Sequence, residues 1–221
     1  MSLDRKTYRW FYDRVACRCY DLMIRWCFFP LGGEKRIRRQ LLEPISFHPE
    51  EKVLDIGCGT GGATFAIAER AGATAQIVGV DLSHGQIRRA VGKNRSAKVC
   101  FLVADATGTC FPDGAFDKVF VTHMIHEMPR AGRLALLREA RRLLRDGGEV
   151  IVLELDNPES LPLRAFTWLW WFYWLPFNFE TPTRKDMLRR GLAEEVREAG
   201  FGEVRKGSYA RGAFQVVRGR K

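Results

Sequence analysis

Three glycines and two aspartates are spaced as a site for an adenosine-containing ligand requires. In the stretch LDIGCGTGG, Gly57, Gly59 and Gly61 come directly after a predicted strand and open a helix. Glycine lets the backbone turn tightly and approach a ligand with no Cβ in the way. Asp81 and Asp105 end the next two predicted strands, where a carboxylate can accept hydrogen bonds from ribose hydroxyls or from an adenine amino group.

The same loop fits two classes of ligand. Gly57, Gly59 and Gly62 match GxGxxG, the pattern of dinucleotide sites, and with Gly61 in place of Gly62 the loop also matches GxGxG. Asp55 precedes the glycines, at a position where dinucleotide folds usually keep a small apolar residue. The acidic residue after the second strand suits either ligand. A dinucleotide oxidoreductase therefore stays open as the less favoured alternative.

Candidate acid–base residues follow the later strands. His123, His126 and Glu127 come just after the predicted fourth strand, and Glu154 ends the fifth. Ligands of an open parallel sheet bind at the carboxyl ends of its strands, and an imidazole or carboxylate there can take a proton from a substrate. We take His126, His123 and Glu127 as the catalytic candidates, with the alternative that His126 only starts a short helix.

Short apolar runs alternate with helical patterns from Glu51 onward. The predicted strands are KVLDIG, AQIVGVD, KVCFLVAD, FDKVFVTH and EVIVLEL. The helices between them are GATFAIAERAG, SHGQIRRAVGK with Ser83 as its cap, and RLALLREARRLLRDGG, whose apolar stripe includes Leu144 and stops at a glycine pair. This alternation predicts right-handed crossovers and a parallel sheet covered on both faces.

The chain then changes pattern. One further helix is predicted, with Leu188, Leu192 and Val196 on a stripe that ends at Gly200. FGEVRKGSY and GAFQVVRG follow with a short connection, so these two strands must be antiparallel neighbours. The prediction is an α/β fold with a Rossmann-like, doubly wound, seven-stranded sheet. The sheet is mostly parallel with the last strand antiparallel, N-terminal helices precede it, and an aromatic insertion follows strand five.

Composition limits the partners. The chain has 221 residues and a net charge of +10, which calls for an acidic partner or surface, or is a solvated basic face. No secretion signal or spanning segment is apparent, so we expect a cytoplasmic protein. The six cysteines show no CxxC spacing, which indicates reduced thiols and no metal site.

The order of the motifs along the chain resembles that of a known family. VLDIGCGTGG, VGVDLS, LVADAT, FPDGAFDKVFVTH and LLRDGGEVIVLE resemble the successive motifs of the class I S-adenosylmethionine-dependent methyltransferases. The resemblance implies that the glycine loop supports the methionine and sulfonium end of the cofactor, that an aspartate holds the ribose, and that residues after strands three and four surround the adenine and the pocket below it. The cofactor residues implied are Tyr20, Asp55, Gly57, Cys58, Gly59, Thr60, Gly61, Asp81, Leu82, Asp105, Ala106, Thr122 and His123.

Tyr20 enters through a second resemblance. RCYDLM and GGEKRIRRQLLEPI are similar to the sub-branch that methylates isoprenoid quinones and membrane lipids, in which a Tyr-Asp pair on the leading helix packs near the cofactor. Those quinone enzymes carry an Arg-Asn pair after strand four, whereas this chain has HMIHEMP, which argues against methylation of a quinone ring. The resemblance implies one methyltransferase domain over 1–221. Its parts are a helical cap (1–50), a cofactor-binding core (51–157), an aromatic lid or insertion (158–185), and a final helix with the antiparallel strand pair (186–221).

The aromatic stretch AFTWLWWFYWLPFNFE, residues 165–180, bears on the acceptor. It can be a lid, a membrane contact or an interface with another copy. Tryptophan and tyrosine favour the bilayer interface, Arg164 and Arg184 flank the stretch and suit anionic head groups, and the leading helix adds Trp10 and Trp26 among arginines. We therefore expect a small, lipophilic acceptor taken from an anionic membrane at the inner face. A soluble metabolite is the alternative. RNA, which the net charge of +10 favours, is the less favoured alternative because the aromatics are too consecutive for spaced base stacking, and no nucleic-acid partner is expected.

Overall fold

The computed structural model describes residues 10, 12–158, 160–165, 169 and 181–221. Its seven strands are β1 (Lys52–Ile56), β2 (Gln76–Asp81), β3 (Val99–Val103), β4 (Phe116–Thr122), β5 (Leu144–Leu155), β6 (Gly202–Tyr209) and β7 (Phe214–Arg220). They form one sheet in the order β3-β2-β1-β4-β5-β7-β6. The first five strands are parallel, and β7 is antiparallel to both β5 and β6. The predicted Rossmann-like sheet with a reversed last strand is confirmed.

Helices cover both faces of this sheet. They are α1 (Cys17–Phe28), α2 (Glu34–Leu42), α3 (Gly62–Arg70), α4 (His84–Lys93), α5 (Arg130–Leu143), α6 (Thr181–Arg190) and α7 (Leu192–Glu198). Phe120 of β4 packs with residues of α1 to α4 on one face, whereas Val119 and Val121 pack with residues of α5 to α7 on the other. Successive strand residues point to opposite faces, so the apolar run Val119–Val121 of β4 contributes to a core on each side of the sheet.

The start of β5 differs from the prediction. Helix α5 ends at Leu143, and Leu144 already has extended backbone angles and pairs with Phe116 of β4. The glycine pair Gly147–Gly148, expected to end the helix, lies inside the strand. Gly147 has a φ of 75°, and the register of β4 against β5 shifts in this region. An irregularity of this kind adds residues to one strand of a pair, and glycine accepts the left-handed backbone it requires.

The predicted last helix is broken in two. Gly191, with φ 86° and ψ 116°, separates α6 from α7, although the apolar stripe of Leu188, Leu192 and Val196 suggested one helix. Helix α6 also spans the predicted boundary between residues 185 and 186. Only glycine adopts these backbone angles without strain, so a residue that looked like a helix interior is a bend.

The aromatic stretch lies almost entirely outside the described residues. Of residues 165–180, the structure describes Ala165 and Leu169, so the predicted lid or membrane contact there stays a prediction. Within the described part of the chain, no helix is long and apolar enough to cross a membrane.

Candidate active site

The glycine loop connects β1 to α3 at the carboxyl edge of the sheet. Gly57, Gly59 and Gly61 all have positive φ, at 71°, 55° and 84°. A Cβ on Gly57 would lie 2.5 Å from Met124 Cγ, and one on Gly61 would lie 2.9 Å from Phe101 Cζ. Glycine is required at both positions by conformation and by space, and the loop leaves its backbone open to the cleft above it.

Asp81 ends β2 and holds the loop in place. Its Oδ2 accepts a hydrogen bond from the Gly59 N–H at 2.9 Å, and its Oδ1 accepts one from the Ser83 N–H at 2.8 Å. Burial raises the pKa of Asp81, and these two backbone donors oppose that rise. An ionised carboxylate has about four acceptor sites, so Asp81 can bind the loop and still accept from the two hydroxyls of a ribose.

Asp55 lies beneath the loop and is fully buried. Its Oδ2 accepts from Thr64 Oγ1 at 2.6 Å, and its Oδ1 accepts from Thr122 Oγ1 at 3.4 Å. Burial raises the pKa of Asp55 to about 6, because its two hydroxyl donors do not replace the lost solvent. Asp55 thus joins β1, α3 and β4 under the site.

An open cleft lies above the loop, bordered by α1, α2 and the segment after β4. Six of the predicted site residues line it, namely Tyr20, Gly57, Cys58, Thr60, Thr122 and His123. Asp81, Leu82, Asp105 and Ala106 are not part of this lining and lie along the carboxyl edge of β2 and β3. The predicted residues at the cleft thus form one group, and those at the ends of β2 and β3 form a second group beside it. An elongated ligand could contact both groups.

Asp105 lies further from its strand than predicted. Strand β3 ends at Val103, so Asp105 is in the following loop. Its Oδ1 accepts from the backbone N–H of Thr107 at 2.9 Å and from the Thr107 hydroxyl at 2.7 Å. This turn around an aspartate side chain explains the early end of the strand, because the carboxylate replaces a strand partner for the backbone N–H.

Sequence reasoning missed the residues that α1 and α2 bring to the cleft. Asp21 and Ile24 of α1, and Glu34 and Arg38 of α2, line it, and Arg38 Nε donates to Glu34 Oε1 at 2.9 Å. Asp21 is the second member of the Tyr-Asp pair in RCYDLM, of which only Tyr20 was predicted as a cofactor residue. The sequence signal for Glu34 and Arg38 was weaker. The two residues are four positions apart, a spacing that brings two side chains together on a helix.

The three acid–base candidates have different surroundings. His126 is buried, with Nδ1 2.8 Å from Glu154 Oε1. Glu127 accepts a hydrogen bond from the Tyr12 hydroxyl at 2.8 Å. His123 alone among the three lines the cleft, and its Nδ1 lies 3.9 Å from the same Glu154 oxygen. The structure therefore separates a cleft-facing histidine from a buried one.

Known proteins match this chain over most of its length. The profile of the methyltransferase-domain family matches residues 53–148. An uncharacterized methyltransferase of Synechocystis sp. is 32% identical over 206 residues, which cover 91% of this chain and 90% of that protein. The ubiquinone/menaquinone biosynthesis C-methyltransferase UbiE of Citrifermentans bemidjiense is 31% identical over 205 residues, covering 90% and 84%.

Solved structures share the fold at lower identity. Phosphoethanolamine N-methyltransferase 2 of Haemonchus contortus, in complex with S-adenosyl-L-methionine, has a TM-score of 0.69 at 18% identity, covering 97% of this chain and 60% of that one. A SAM-dependent methyltransferase of Aquifex aeolicus has a TM-score of 0.62 at 17% identity, covering 83% and 89%. The chain belongs to the class I S-adenosylmethionine-dependent methyltransferases, near the branch of the ubiquinone and menaquinone biosynthesis enzymes, and its cofactor is S-adenosylmethionine.

Proposed function

We propose that this enzyme transfers the methyl group to a small lipophilic acceptor, quinone-like or lipid-like, that it takes from an anionic membrane surface. The observation that carries the proposal is that helix α1 has two apolar faces. Tyr20 and Ile24 line the cleft. Leu22 and Trp26 of α1, and Phe29 in the 3-10 turn directly after it, lie on the opposite side, with 59%, 51% and 73% of their surface exposed. An exposed apolar stripe beside an active site fits a membrane or ligand contact.

The spacing of the exposed residues makes them one continuous stripe. Leu22, Trp26 and Phe29 are four and three positions apart, so they project from the same side of a helix, and the Trp26 and Phe29 rings lie 6.4 Å apart. We call these three residues the α1 stripe. A helix with such a stripe and a basic border lies in the plane of a membrane interface.

Basic side chains border the α1 stripe. Arg25, Lys35 and Arg36 are all exposed, and the Arg36 side chain packs against the backbone position of Gly32, just after Phe29. Each basic residue near an anionic surface contributes about 1 kcal/mol to binding. Apolar insertion and charge attraction therefore act on the same surface, next to the cleft.

The cofactor residues follow from the same proposal. The glycine loop with Cys58 and Thr60 supports the methionine end, Asp81 accepts from the ribose hydroxyls, and Leu82, Asp105 and Ala106 surround the adenine. What supports this arrangement is the division of these residues between the cleft and the adjoining strand edge.

Arg38 and Glu34 extend this arrangement at the other end of the cleft. A Cβ on Gly62 would lie 2.9 Å from an Arg38 Nη and 3.0 Å from Glu34 Oε1, so this ion pair sits directly over the start of α3. We propose that the two opposite charges face the amino and carboxylate groups of the methionine end.

Relatives with a named activity support the lipophilic acceptor. Demethylmenaquinone methyltransferase of Beutenbergia cavernae is 34% identical over 174 residues, which cover 79% of this chain and 66% of that protein. The name of this protein gives demethylmenaquinone as its substrate, and the name of the UbiE relative gives a C-methyltransferase of ubiquinone and menaquinone biosynthesis. Because this chain carries HMIHEMP where the quinone enzymes carry an Arg-Asn pair, the proposal extends to lipid-like acceptors and is not limited to a quinone ring.

The test separates membrane binding from acceptor choice. Purified protein is sedimented with vesicles of phosphatidylglycerol and phosphatidylcholine at low salt. We expect the wild type in the pellet, and at least tenfold weaker partitioning for Trp26→Ala/Phe29→Ala, because two large apolar groups leave the interface. Val91→Ala, a truncation of an exposed apolar residue on α4, is the matched control and should pellet like the wild type.

A second measurement identifies the acceptor. Labelled S-adenosylmethionine is incubated with the protein and either a bacterial total lipid extract or an aqueous metabolite extract, and the label is located. Label in the lipid phase supports the proposal, and label only in the aqueous phase overturns it in favour of a soluble metabolite. Trp170→Ala/Trp171→Ala tests the predicted contribution of the aromatic stretch to vesicle binding.

A further inference from the structure

A buried carboxylate lies between two histidines at the carboxyl ends of β4 and β5. Glu154 is fully buried, and its Oε1 accepts the backbone N–H of Leu155 at 2.6 Å and lies 2.8 Å from His126 Nδ1. His123 Nδ1 is 3.9 Å from the same oxygen. A carboxylate is kept in such a place only when charges or donors surround it, and the groups within hydrogen-bond distance of Oε1 are the Leu155 N–H and the His126 ring.

The two histidines differ in what their rings can still bind. His126 uses Nδ1 on Glu154 and does not line the cleft. His123 lines the cleft, and within the described part of the chain neither of its ring nitrogens has a hydrogen-bond partner. Buried polar groups are nearly always paired, and an unpaired one calls for an explanation. Both nitrogens are also buried from solvent, so an acceptor in the cleft reaches Nε2 only after the side chains that cover it move.

The backbone and neighbouring rings hold His123 in this position. Its φ is 49°, a left-handed conformation that costs energy for a residue other than glycine, and its N–H donates to Leu153 O at 2.8 Å. Phe28 and Phe214 contact the imidazole edge-on, with centroids 5.8 Å and 5.3 Å away. Strain of this kind persists where the surrounding structure needs the side chain in a particular place.

We infer that His123 is the base that removes a proton from the methyl acceptor, and that Glu154 is a positioning residue that orients its ring. The inference rests on the proposed methyl transfer and narrows its substrate to acceptors whose reacting atom carries an ionisable proton, such as a phenolic hydroxyl. An amine that reacts through its own free electron pair needs no such base.

The proton and electron balance is complete. The proton of the acceptor passes to Nε2 of His123, since Nδ1 faces Glu154. The acceptor atom forms a bond to the methyl carbon while the bond from that carbon to the cofactor sulfur breaks, and its electron pair stays on sulfur. The imidazolium of His123 is stabilised by the Glu154 carboxylate and then returns its proton to solvent.

The charges that face His123 favour this cycle. Burial lowers the pKa of His123, with Arg38 and His126 acting in the same direction and Glu154 opposing them, so the ring is neutral and ready to accept a proton at neutral pH. Burial works against ionisation of Glu154, but His126 and His123 outweigh it and hold the pKa of Glu154 well below its ordinary value. The carboxylate is therefore charged when the imidazolium forms.

The first test uses label transfer from S-adenosylmethionine to a bacterial total lipid extract. We expect His123→Asn to lower the rate by about 10²-fold or more with unchanged affinity for S-adenosylhomocysteine by calorimetry. His48→Asn, which changes an exposed histidine, is the matched control and should keep the wild-type rate. A His123→Asn rate within tenfold of the wild type, at equal cofactor affinity, would overturn the inference.

The pH profile tests the role of Glu154. Glu154→Gln keeps an oxygen that can accept from Leu155 but removes the charge that raises the pKa of His123. We expect a lower kcat and an acid limb of kcat shifted to lower pH, with a melting temperature near that of the wild type. A lower rate with the acid limb unmoved would show that Glu154 does not act through His123.

A spectroscopic readout makes the inference independent of the proposed acceptor. In the presence of S-adenosylhomocysteine, 4-nitrophenol is titrated with protein and its phenolate absorbance is recorded. We expect the wild type and His48→Asn to ionise the bound phenol below its solution pKa, and His123→Asn not to. If no label enters the lipid extract but the pKa of bound 4-nitrophenol is lowered, the proposal of a lipophilic acceptor is wrong and the role of His123 as a base stands. An unchanged nitrophenol titration, or a shift that persists in His123→Asn, overturns the role of His123.

Discussion

The side chain of Thr60 in the glycine loop donates a hydrogen bond to Asp21 of α1, with 2.5 Å between Oγ1 and Oδ1. Lys93 of α4 holds the same carboxylate at 3.0 Å. Burial opposes ionisation of Asp21, but Thr60 and Lys93 outweigh it and hold the pKa of Asp21 below its ordinary value. One carboxylate thus joins the N-terminal helix, the cofactor loop and α4 at the mouth of the cleft.

Breaking this contact should loosen the cleft. Thr60→Val removes the hydroxyl but keeps the shape of a side chain that is only 3% exposed. We expect a loss of about 1 kcal/mol in the free energy of unfolding and weaker binding of S-adenosylhomocysteine, because α1 is no longer tied to the loop. Urea unfolding and calorimetry measure the two effects. Asp146→Asn, at a fully exposed carboxylate, should change neither quantity, and unchanged affinity in Thr60→Val would contradict the expectation.

Asp81 should govern cofactor affinity. Asp81→Ala removes the carboxylate that binds the Gly59 and Ser83 N–H groups and that we propose accepts from the ribose. Charge-assisted hydrogen bonds contribute roughly 1.5–3 kcal/mol each, so affinity for S-adenosylmethionine should fall at least tenfold. Calorimetry with Asp146→Ala as the control measures this. Heat of binding with NAD, or an unaffected Asp81→Ala variant, would argue against this role for Asp81.

Asp55 should make stability depend on pH in an identifiable window. Burial raises the pKa of Asp55 from 3.8 to about 6, so between these values the folded chain keeps a proton that the unfolded chain has released. Stability must then fall as pH rises through this window. The loss is on the order of 3 kcal/mol, from about 1.4 kcal/mol for each pKa unit.

The variant Asp55→Asn isolates this effect. The amide cannot ionise, and its oxygen can still accept from Thr64. We measure urea unfolding without cofactor at pH 4 and pH 7. Between these values we expect the free energy of unfolding of the wild type to fall relative to that of Asp55→Asn. Parallel pH curves for the two proteins would show that Asp55 titrates at its ordinary value.

Arg133 should be a stability hotspot away from the cleft. Its guanidinium is fully buried and donates to Glu195 through Nε at 2.7 Å and through Nη2 at 2.6 Å, and to Met128 O through Nη1 at 2.9 Å. Arg133→Ala leaves Glu195 buried without its partner, so we expect a loss of about 3–5 kcal/mol in urea unfolding.

The double variant Arg133→Leu/Glu195→Leu tests the reason for that loss. Removing both charges should recover much of the stability, since no unpaired carboxylate remains. Arg190→Ala, which deletes a half-exposed ion-pair partner of Asp186, should cost less than about 1 kcal/mol. If Arg133→Ala and Arg133→Leu/Glu195→Leu lose the same free energy of unfolding, the loss comes from packing and not from an unpaired charge.

The sequence by itself determined the alternation of strands and helices, the mostly parallel sheet with its reversed last strand, and the places of the predicted cofactor residues at the ends of the strands. These features depend on neighbouring residues along the chain. Glycines after β1 and an aspartate at the end of β2 lie at the carboxyl edge of the sheet because parallel strands connected by right-handed crossovers all end there. The five motifs could therefore be placed before any contact was known.

Only the tertiary structure decided which histidine faces the cleft. His123 and His126 stand three positions apart in one short segment, and the sequence offered both as catalytic candidates, with His123 also implied as a residue of the cofactor pocket. The left-handed backbone at His123 and the packing of Phe28 and Phe214 turn its ring toward the cleft, while Glu154 holds His126 inside. Such contacts join residues from separate helices and strands, and no spacing along the chain specifies them.

The sequence could not predict the bend at Gly191 or the contact between Asp21 and Thr60, for the same reason. A glycine in an apolar stripe is compatible with a continuous helix and with a break, and the packing of α6 and α7 selects the break. Asp21 and Thr60 are 39 residues apart, and their hydrogen bond exists because α1 folds back over the loop. Local patterns set the elements, whereas packing between distant elements sets the chemistry available in the cleft.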